Sequence, residues 1–195
     1  MSELVAENKK IKGKKQFTVF SMVQIAVCVA LLCVSAFISI PIPFSTVPIT
    51  LQTFMVILVA LLLKPSYAAI AQGIYTLLGI VGLPVFSGGT SGLGHIFTPG
   101  GGFIVGFIAA SFLVSFAKGK NENIVRYIIV AIVVGIPVVD AFGIVFYSIF
   151  AGVDLLTSTA LMVLPYLVLD IVKCVAAAVI AIVLNKALKK ANIGF

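Results

Sequence analysis

Six apolar stretches, recurring along almost the whole chain, constrain this sequence more than any other feature. A helix needs about 20 residues to cross the hydrocarbon layer of a bilayer. The chain of 195 residues is 62% hydrophobic and 10% charged, which is more apolar surface than a soluble core of this size can bury. We therefore predict an all-α, polytopic membrane protein with six transmembrane helices. The predicted spans cover about residues 17–40, 47–63, 66–82, 101–117, 124–150 and 161–184.

The distribution of lysine and arginine predicts the orientation of these spans. If the N-terminus is cytoplasmic, all basic residues except Lys173 lie in cytoplasmic segments, and the outer loops contain none. This asymmetry follows the positive-inside rule. We predict that both termini are cytoplasmic and that residues 1–195 form a single transmembrane domain. Within it, residues 1–16 form a basic cytoplasmic tail and residues 17–190 form the six-helix membrane domain.

Asp170 and Lys173 are charged residues within the sixth predicted span. Each charge at the centre of a lipid-embedded helix costs roughly 2.5–3.5 kcal/mol, so it requires a partner. Asp170 is expected about nine residues below the outer end of this helix. The two residues either form a structural ion pair or line a polar pocket whose ligand supplies further partners. We favour the pocket, because buried ion pairs rarely stabilise a fold more than apolar residues do.

Four further residues are candidates for the same pocket. Asp140 has no basic neighbour on its own helix, so it is protonated, paired with Lys173, or lining a water-filled cavity. Gln52, at the outer end of the second span, either extends toward the interface or enters the pocket. Tyr75 and Phe86 either stack on a ligand ring or pack within the protein.

Two other features bear on the shape of the site. Pro137, three residues before Asp140, predicts a tilt or kink in the long fifth helix. The outer loop after the third span is rich in glycine and contains no phosphate-binding motif. It is either a flexible connector or a lid over the site. If it is a lid, we expect residues 87–100 to become ordered when ligand binds.

The sequence predicts no metal site, no cofactor and no enzyme activity. His95 is the single histidine, and the three cysteines lie in apolar segments without metal-ligand spacing. On the first helix, Ala26 and Ala30 form a small-x-x-x-small pattern, which permits close helix packing within the chain or against a partner.

Several segments together resemble the BioY family, the biotin-binding S-components of energy-coupling factor (ECF) transporters. The resemblance covers nearly the whole chain. Its segments are VPITLQT (47–53), GLPVF (82–86), TPGGGFIVGF (98–107) and PYLVLDIVK (165–173). It implies a high-affinity subunit that captures biotin at a prokaryotic plasma membrane. It also implies two kinds of protein partner, a transmembrane coupling subunit and two cytoplasmic ATPases, and no nucleic acid.

The resemblance also implies roles for the candidate residues. Asp170 suits the N–H donors of the ureido ring of biotin, and Lys173 suits either the carboxylate or the ureido carbonyl. Gln52 and Asp140, with the aromatic residues above, complete the expected substrate-binding set. The family uses an A-x-x-x-A pattern on its first helix to contact the coupling subunit, which implies a docking role for the two alanines of helix 1.

Two other functions are compatible with intramembrane acids. One is a solitary proton-coupled vitamin carrier using Asp140 or Asp170, but six spans without visible inverted repeats are few for such a carrier. The other is an intramembrane aspartyl protease with these acids as its dyad. The Gly-x-Gly-Asp context of such enzymes is missing, and Lys173 would keep a neighbouring acid ionised when the dyad must share a proton.

Overall fold

A computed structural model describes residues 18–41 and 47–191 of the chain, and most of them are helical. The predicted basic tail, residues 1–16, lies outside the described residues. The helices are α1 (Val19–Ser35), α2 (Gln52–Leu62), α3 (Pro65–Ile80), α4 (Gly101–Ala117), α5 (Ile124–Val130), α6 (Ile136–Ala151), α7 (Leu155–Met162) and α8 (Leu167–Lys190).

The second predicted helix begins later than expected. Two short strands, β1 (Ser39–Ile40) and β2 (Ile49–Thr50), pair in antiparallel orientation before α2 begins at Gln52. Pro48 lacks an N–H group, and the residues around it are largely β-branched, so this segment favours extended backbone. The described chain is mostly helical, as the all-α prediction expects, and this short hairpin is an addition that the prediction did not include.

The fifth predicted helix is continuous but irregular. It runs over Ile124–Ala151, and its residues Ala131–Gly135 form a π-helical turn between α5 and α6. Pro137 follows this turn within the first residues of α6. Because proline supplies no N–H and clashes with the carbonyl four residues earlier, it disturbs a regular helix at this point. The irregularity expected at Pro137 thus takes the form of a widened turn.

The sixth predicted span, residues 161–184, is interrupted near its start, because α7 ends at Met162 and α8 begins at Leu167. Residues 163–166 form the turn between them, and Pro165 lies within it. Proline disfavours helical backbone at the residue before it, which explains the break. Asp170 consequently lies in the first turn of α8, with its N–H bonded to the Tyr166 carbonyl at 2.8 Å. The expectation that Asp170 lies about nine residues inside a single helix is wrong.

The helices pack as a bundle in which α4 contacts α2, α3 and α6, while α2 contacts α8 and α1 contacts α3. Glycines allow α4 and α6 to approach closely. A side chain at Gly102 would collide with the backbone of Phe142, and a side chain at Gly143 would collide with the ring of Phe103. This close crossing positions the first half of α4 beside Asp140 of α6.

Basic side chains stabilise the end of the bundle at which α2 and α4 terminate. The ammonium group of Lys118 donates hydrogen bonds to the carbonyls of Ala60, Leu61 and Leu63 at 3.0, 2.7 and 2.6 Å. These carbonyls lie in the last turn of α2 and at its C-terminal cap, where helical N–H donors run out, and the Leu63 carbonyl also accepts from the Ser115 hydroxyl at 2.6 Å. At the same end, the Lys189 Nζ lies 2.8 Å from the Glu122 Oε1.

Two helical segments of the described chain are long and apolar enough to cross a membrane, judged by length and composition. They are Ile124–Ala151 and Leu167–Lys190, each with a mean hydropathy of 2.7. Four shorter apolar helices, α1 to α4, lie within or near the first four predicted spans.

Candidate binding site

A cavity of about 410 Å³ lies at the end of the bundle where α2, α4 and α8 begin. This volume falls in the range of small-molecule sites, which is about 300–1,000 Å³. Its wall combines the start of α2, the loop between α3 and α4, the first half of α4, and residues of α6 and α8. Four of the six predicted substrate-binding residues line it: Asp170, Lys173, Gln52 and Asp140.

Asp170 and Lys173 form an ion pair on the cavity wall. The Lys173 Nζ donates to the Asp170 Oδ1 at 2.9 Å, and the Lys173 and Asp170 side chains are 15% and 13% exposed, respectively. The position of Asp170 in the first turn of α8 favours its carboxylate, because the N-terminus of a helix carries partial positive charge. Within the described residues, the second carboxylate oxygen and the other ammonium hydrogens have no hydrogen-bond partner. The pair therefore retains capacity to bind a ligand.

Asp140 extends the polar side of the cavity from α6. Its expected pairing with Lys173 is not formed, since Lys173 pairs with Asp170 instead. Among the described residues, Asp140 has neither a hydrogen bond nor an ion pair. It is partly exposed. Of the three expectations for this residue, the pairing with Lys173 is therefore excluded, while protonation and contact with a water-filled cavity stay predictions.

Gln52 is a buried wall residue rather than one that extends toward an interface. It is 5% exposed, and its Nε2 donates a hydrogen bond to the hydroxyl of Tyr75. The Tyr75 hydroxyl in turn donates to the Val85 carbonyl at 2.9 Å. Tyr75 therefore holds Gln52 in place from behind the cavity wall.

Phe86 also lies behind the wall, so neither predicted aromatic residue contacts the cavity. Its ring, which is fully buried, meets the Tyr75 ring edge to face at 6.0 Å and stacks on the His95 ring at 5.4 Å. The ring fits closely against Gly79, where any side chain would collide with it. The expectation that Tyr75 and Phe86 stack on a ligand ring is not supported, because both rings are buried and neither lines the cavity.

The loop between α3 and α4 supplies cavity residues that the sequence interpretation missed. Ser87, Thr90, His95 and Thr98 line the cavity, and the hydroxyl of Ser87 is buried without a partner in the described part of the chain. Burial lowers the pKa of His95, which favours its neutral imidazole. In the sequence, the single histidine within a polar, glycine-rich loop was the feature that could have indicated a contribution of this loop to the cavity.

The apolar wall was also missed. Phe103 and Phe107 contact the cavity from α4, and Tyr166 contacts it from the turn before α8. The Tyr166 hydroxyl donates to the Val47 carbonyl, which joins that turn to the segment before α2. Spacing could have indicated both, because residues four apart lie on the same face of a helix. The two phenylalanines are four residues apart, and Tyr166 precedes Asp170 by four residues.

Ala26 and Ala30 lie on an exposed face of α1, away from the cavity wall. Ala26 borders a separate, almost entirely apolar groove between α1 and α3. In the described residues, no group of three His, Cys, Asp or Glu side chains is placed to hold a metal ion.

Comparison with known proteins gives consistent matches over most of the chain. The BioY family matches residues 8–190. A probable biotin transporter BioY from Pyrococcus horikoshii is 40% identical over 157 residues, which are 80% of this chain and 91% of that protein. Biotin transporter BioY from Thermotoga maritima is 35% identical over 165 residues, 85% of this chain and 95% of its own length.

A solved structure agrees with these sequence matches. It is the crystal structure of the S-component for biotin from an ECF-type ABC transporter, with a TM-score of 0.77 and 29% identity. The similarity covers 92% of this chain and 93% of the solved chain. With the family match extending over nearly all of its helices, the chain belongs to the BioY family.

Proposed function

We propose that this chain is the high-affinity, biotin-binding substrate-capture subunit of an ATP-driven ECF vitamin transporter. The observation that carries the proposal is a vitamin-sized cavity whose wall contains both the Asp170–Lys173 ion pair and aromatic residues of α4. The relatives named as biotin transporters and the solved biotin S-component support the choice of ligand. In this proposed role, the chain is not an enzyme and requires no cofactor.

The chemistry of biotin matches both the polar and the apolar residues of the cavity wall. The free carboxylate oxygen of Asp170 accepts a hydrogen bond from a ureido N–H, while Lys173 binds either the ureido carbonyl or the carboxylate of the tail. The thioether ring and the aliphatic tail are apolar and fit against Phe103 and Phe107. Gln52, held by Tyr75, contributes its amide oxygen to the polar side.

We infer that the chain crosses the membrane six times and that the cavity opens to the outside. The lysines and the arginine near the helix ends lie at the opposite end of the bundle, which the positive-inside rule assigns to the cytoplasm. The short α2, with 11 residues, is compatible with this topology. The extended segment before it lines the cavity, and non-helical backbone is tolerated at membrane depth where it lines a cavity or is buried in protein.

Transport requires partners, because the sequence contains no nucleotide-binding motif. We infer a transmembrane coupling subunit and two cytoplasmic ATPases in a prokaryotic plasma membrane. The exposed alanines of α1, Ala26 and Ala30, supply a face on which another helix can approach closely. The apolar groove beside Ala26 continues this face toward α3.

Titration of the detergent-purified chain with biotin tests the proposed function. We expect saturable binding of about one biotin per chain, and absence of binding to the folded wild-type protein would overturn the proposal. Uptake measurements separate it from a solitary proton-coupled carrier. Uptake in cells is expected to stop when ATP is depleted and to continue when a protonophore is added while ATP is maintained.

A further inference from the structure

Asp140 is an acidic wall residue with which no group in the described part of the chain pairs directly. It lies on α6 and lines the same cavity as Asp170 and Lys173. Whereas Asp170 is bonded to Lys173 at 2.9 Å, Asp140 has no hydrogen bond or ion pair among the described residues. An acid in this position depends on water in the cavity for its solvation.

The groups facing Asp140 leave the cavity with an excess of negative charge. Asp170 and Lys173 line the same cavity from α8, which also places the buried thiol of Cys174 near both acids, and His95 lines the cavity from the loop between α3 and α4. The phenolic Tyr166 adds no charge. The two helices packed directly against α6, namely α4 and α7, contain no ionisable side chain. When both acids are ionised, the cavity therefore contains one ammonium group and two carboxylates before any ligand enters.

An anionic ligand makes this imbalance larger. The following step rests on the proposed function, since it assumes that the ligand is biotin with an ionised tail. Biotin would bring a third carboxylate into the cavity and displace the water that solvates Asp140. Like charges in a site of low dielectric constant raise each other's free energy, and the system relieves this by protonating one acid. The ion pair with Lys173 favours the ionised form of Asp170, and Asp140 has no such partner among the described residues, which leaves Asp140 as the acid better able to accept the proton.

We propose that biotin binding is coupled to the uptake of one proton from solvent by the Asp140 carboxylate. The proton adds to a carboxylate oxygen and forms a neutral carboxyl group, and it returns to solvent when biotin leaves. The neutral group can donate a hydrogen bond to an acceptor on the ligand, which a carboxylate cannot. Asp140 thereby makes retention of the vitamin depend on pH, with tighter binding at lower pH.

Calorimetric titration in two buffers of different ionisation enthalpy measures this proton uptake directly. The wild type is expected to take up close to one proton per biotin at mildly alkaline pH, and its affinity is expected to fall by up to about tenfold per pH unit there. Asp140→Asn is expected to remove both effects, and Asp140→Glu to retain them. Asp154→Asn is the matched control, because Asp154 is an exposed acid that caps α7 outside the cavity.

Biotin binding by the wild type without proton uptake would overturn this inference and leave the proposed function standing. Unchanged uptake in Asp140→Asn would overturn the assignment to Asp140. If that variant does not fold, infrared difference spectra of the wild type decide instead. Addition of biotin must produce the C=O stretching band of a protonated carboxyl group, and its absence overturns the proposal. Failure of the wild type to bind biotin at any pH would reject the proposed function itself.

Discussion

Breaking the Asp170–Lys173 ion pair is expected to weaken biotin binding strongly. Asp170→Asn or Lys173→Met leaves the remaining charge largely buried and without its partner, which generally costs about 2–5 kcal/mol. The pair has one hydrogen bond of 2.9 Å, and its side chains remain 15% and 13% exposed. These features place the loss of binding free energy toward the lower end of that range, at about 2–3 kcal/mol. This loss corresponds to roughly a 30- to 150-fold weaker affinity for biotin.

The assay is calorimetric titration of each detergent-purified variant with biotin, after its folding has been checked by circular dichroism. A second ion pair provides a matched control. Glu122 and Lys189 are joined at 2.8 Å at the opposite end of the bundle. Because neither lines the cavity, Glu122→Gln is expected to bind biotin with the affinity of the wild type.

The double variant Asp170→Leu/Lys173→Leu distinguishes a ligand-binding pair from a structural one. Apolar replacement of a purely structural pair is often neutral or stabilising, and it would leave biotin affinity unchanged. A pair that binds the ligand cannot be replaced in this way. If the folded double variant binds biotin as tightly as the wild type, the assignment of this cavity to biotin is wrong.

Three further predictions concern other parts of the chain. Ala26→Trp or Ala30→Trp is expected to abolish biotin uptake in cells and co-purification with the coupling subunits while leaving binding by the purified chain nearly unchanged, because the bulky ring blocks close helix approach. Parallel loss of binding would instead assign these alanines to internal packing. Saturating biotin is expected to slow proteolysis within 87–100 if this loop closes over the ligand, and equal cleavage rates would reject a lid. Lys118→Met is expected to lower the free energy of unfolding by about 1–3 kcal/mol, because it removes three hydrogen bonds to the end of α2. The loss is measured as a lower thermal midpoint, and Lys120→Met is the exposed control. Equal midpoints would contradict this role.

The charged residues of the site were predictable because charge is rare and costly within apolar helices. Asp170 and Lys173 stand out for this reason in the amino-acid sequence, and their spacing of three residues predicts contact. The structure places them together at 2.9 Å. Asp140 is recognisable by the same argument, although the sequence left its partner open.

Other parts of the site depend on tertiary packing that local sequence does not encode. Tyr75 and Phe86 have aromatic side chains of the kind that stack on ligand rings. In the folded chain, however, Gly79 leaves room for the Phe86 ring beside α3, and both aromatic side chains are buried. The break before α8 follows from Pro165, whose effect in an apolar run is ambiguous, since membrane helices often tolerate proline. His95 became a wall residue only because its loop folds back over the cavity.

Mass spectrometry of the small molecules released from the denatured, purified chain tests the central claim most directly. The protein is purified from cells grown with biotin, and the released material is quantified per chain. We expect about one biotin per wild-type chain and much less from Asp170→Asn. Release of a different small molecule in stoichiometric amount, or equal biotin from both proteins, would contradict the assignment of this cavity as a biotin site.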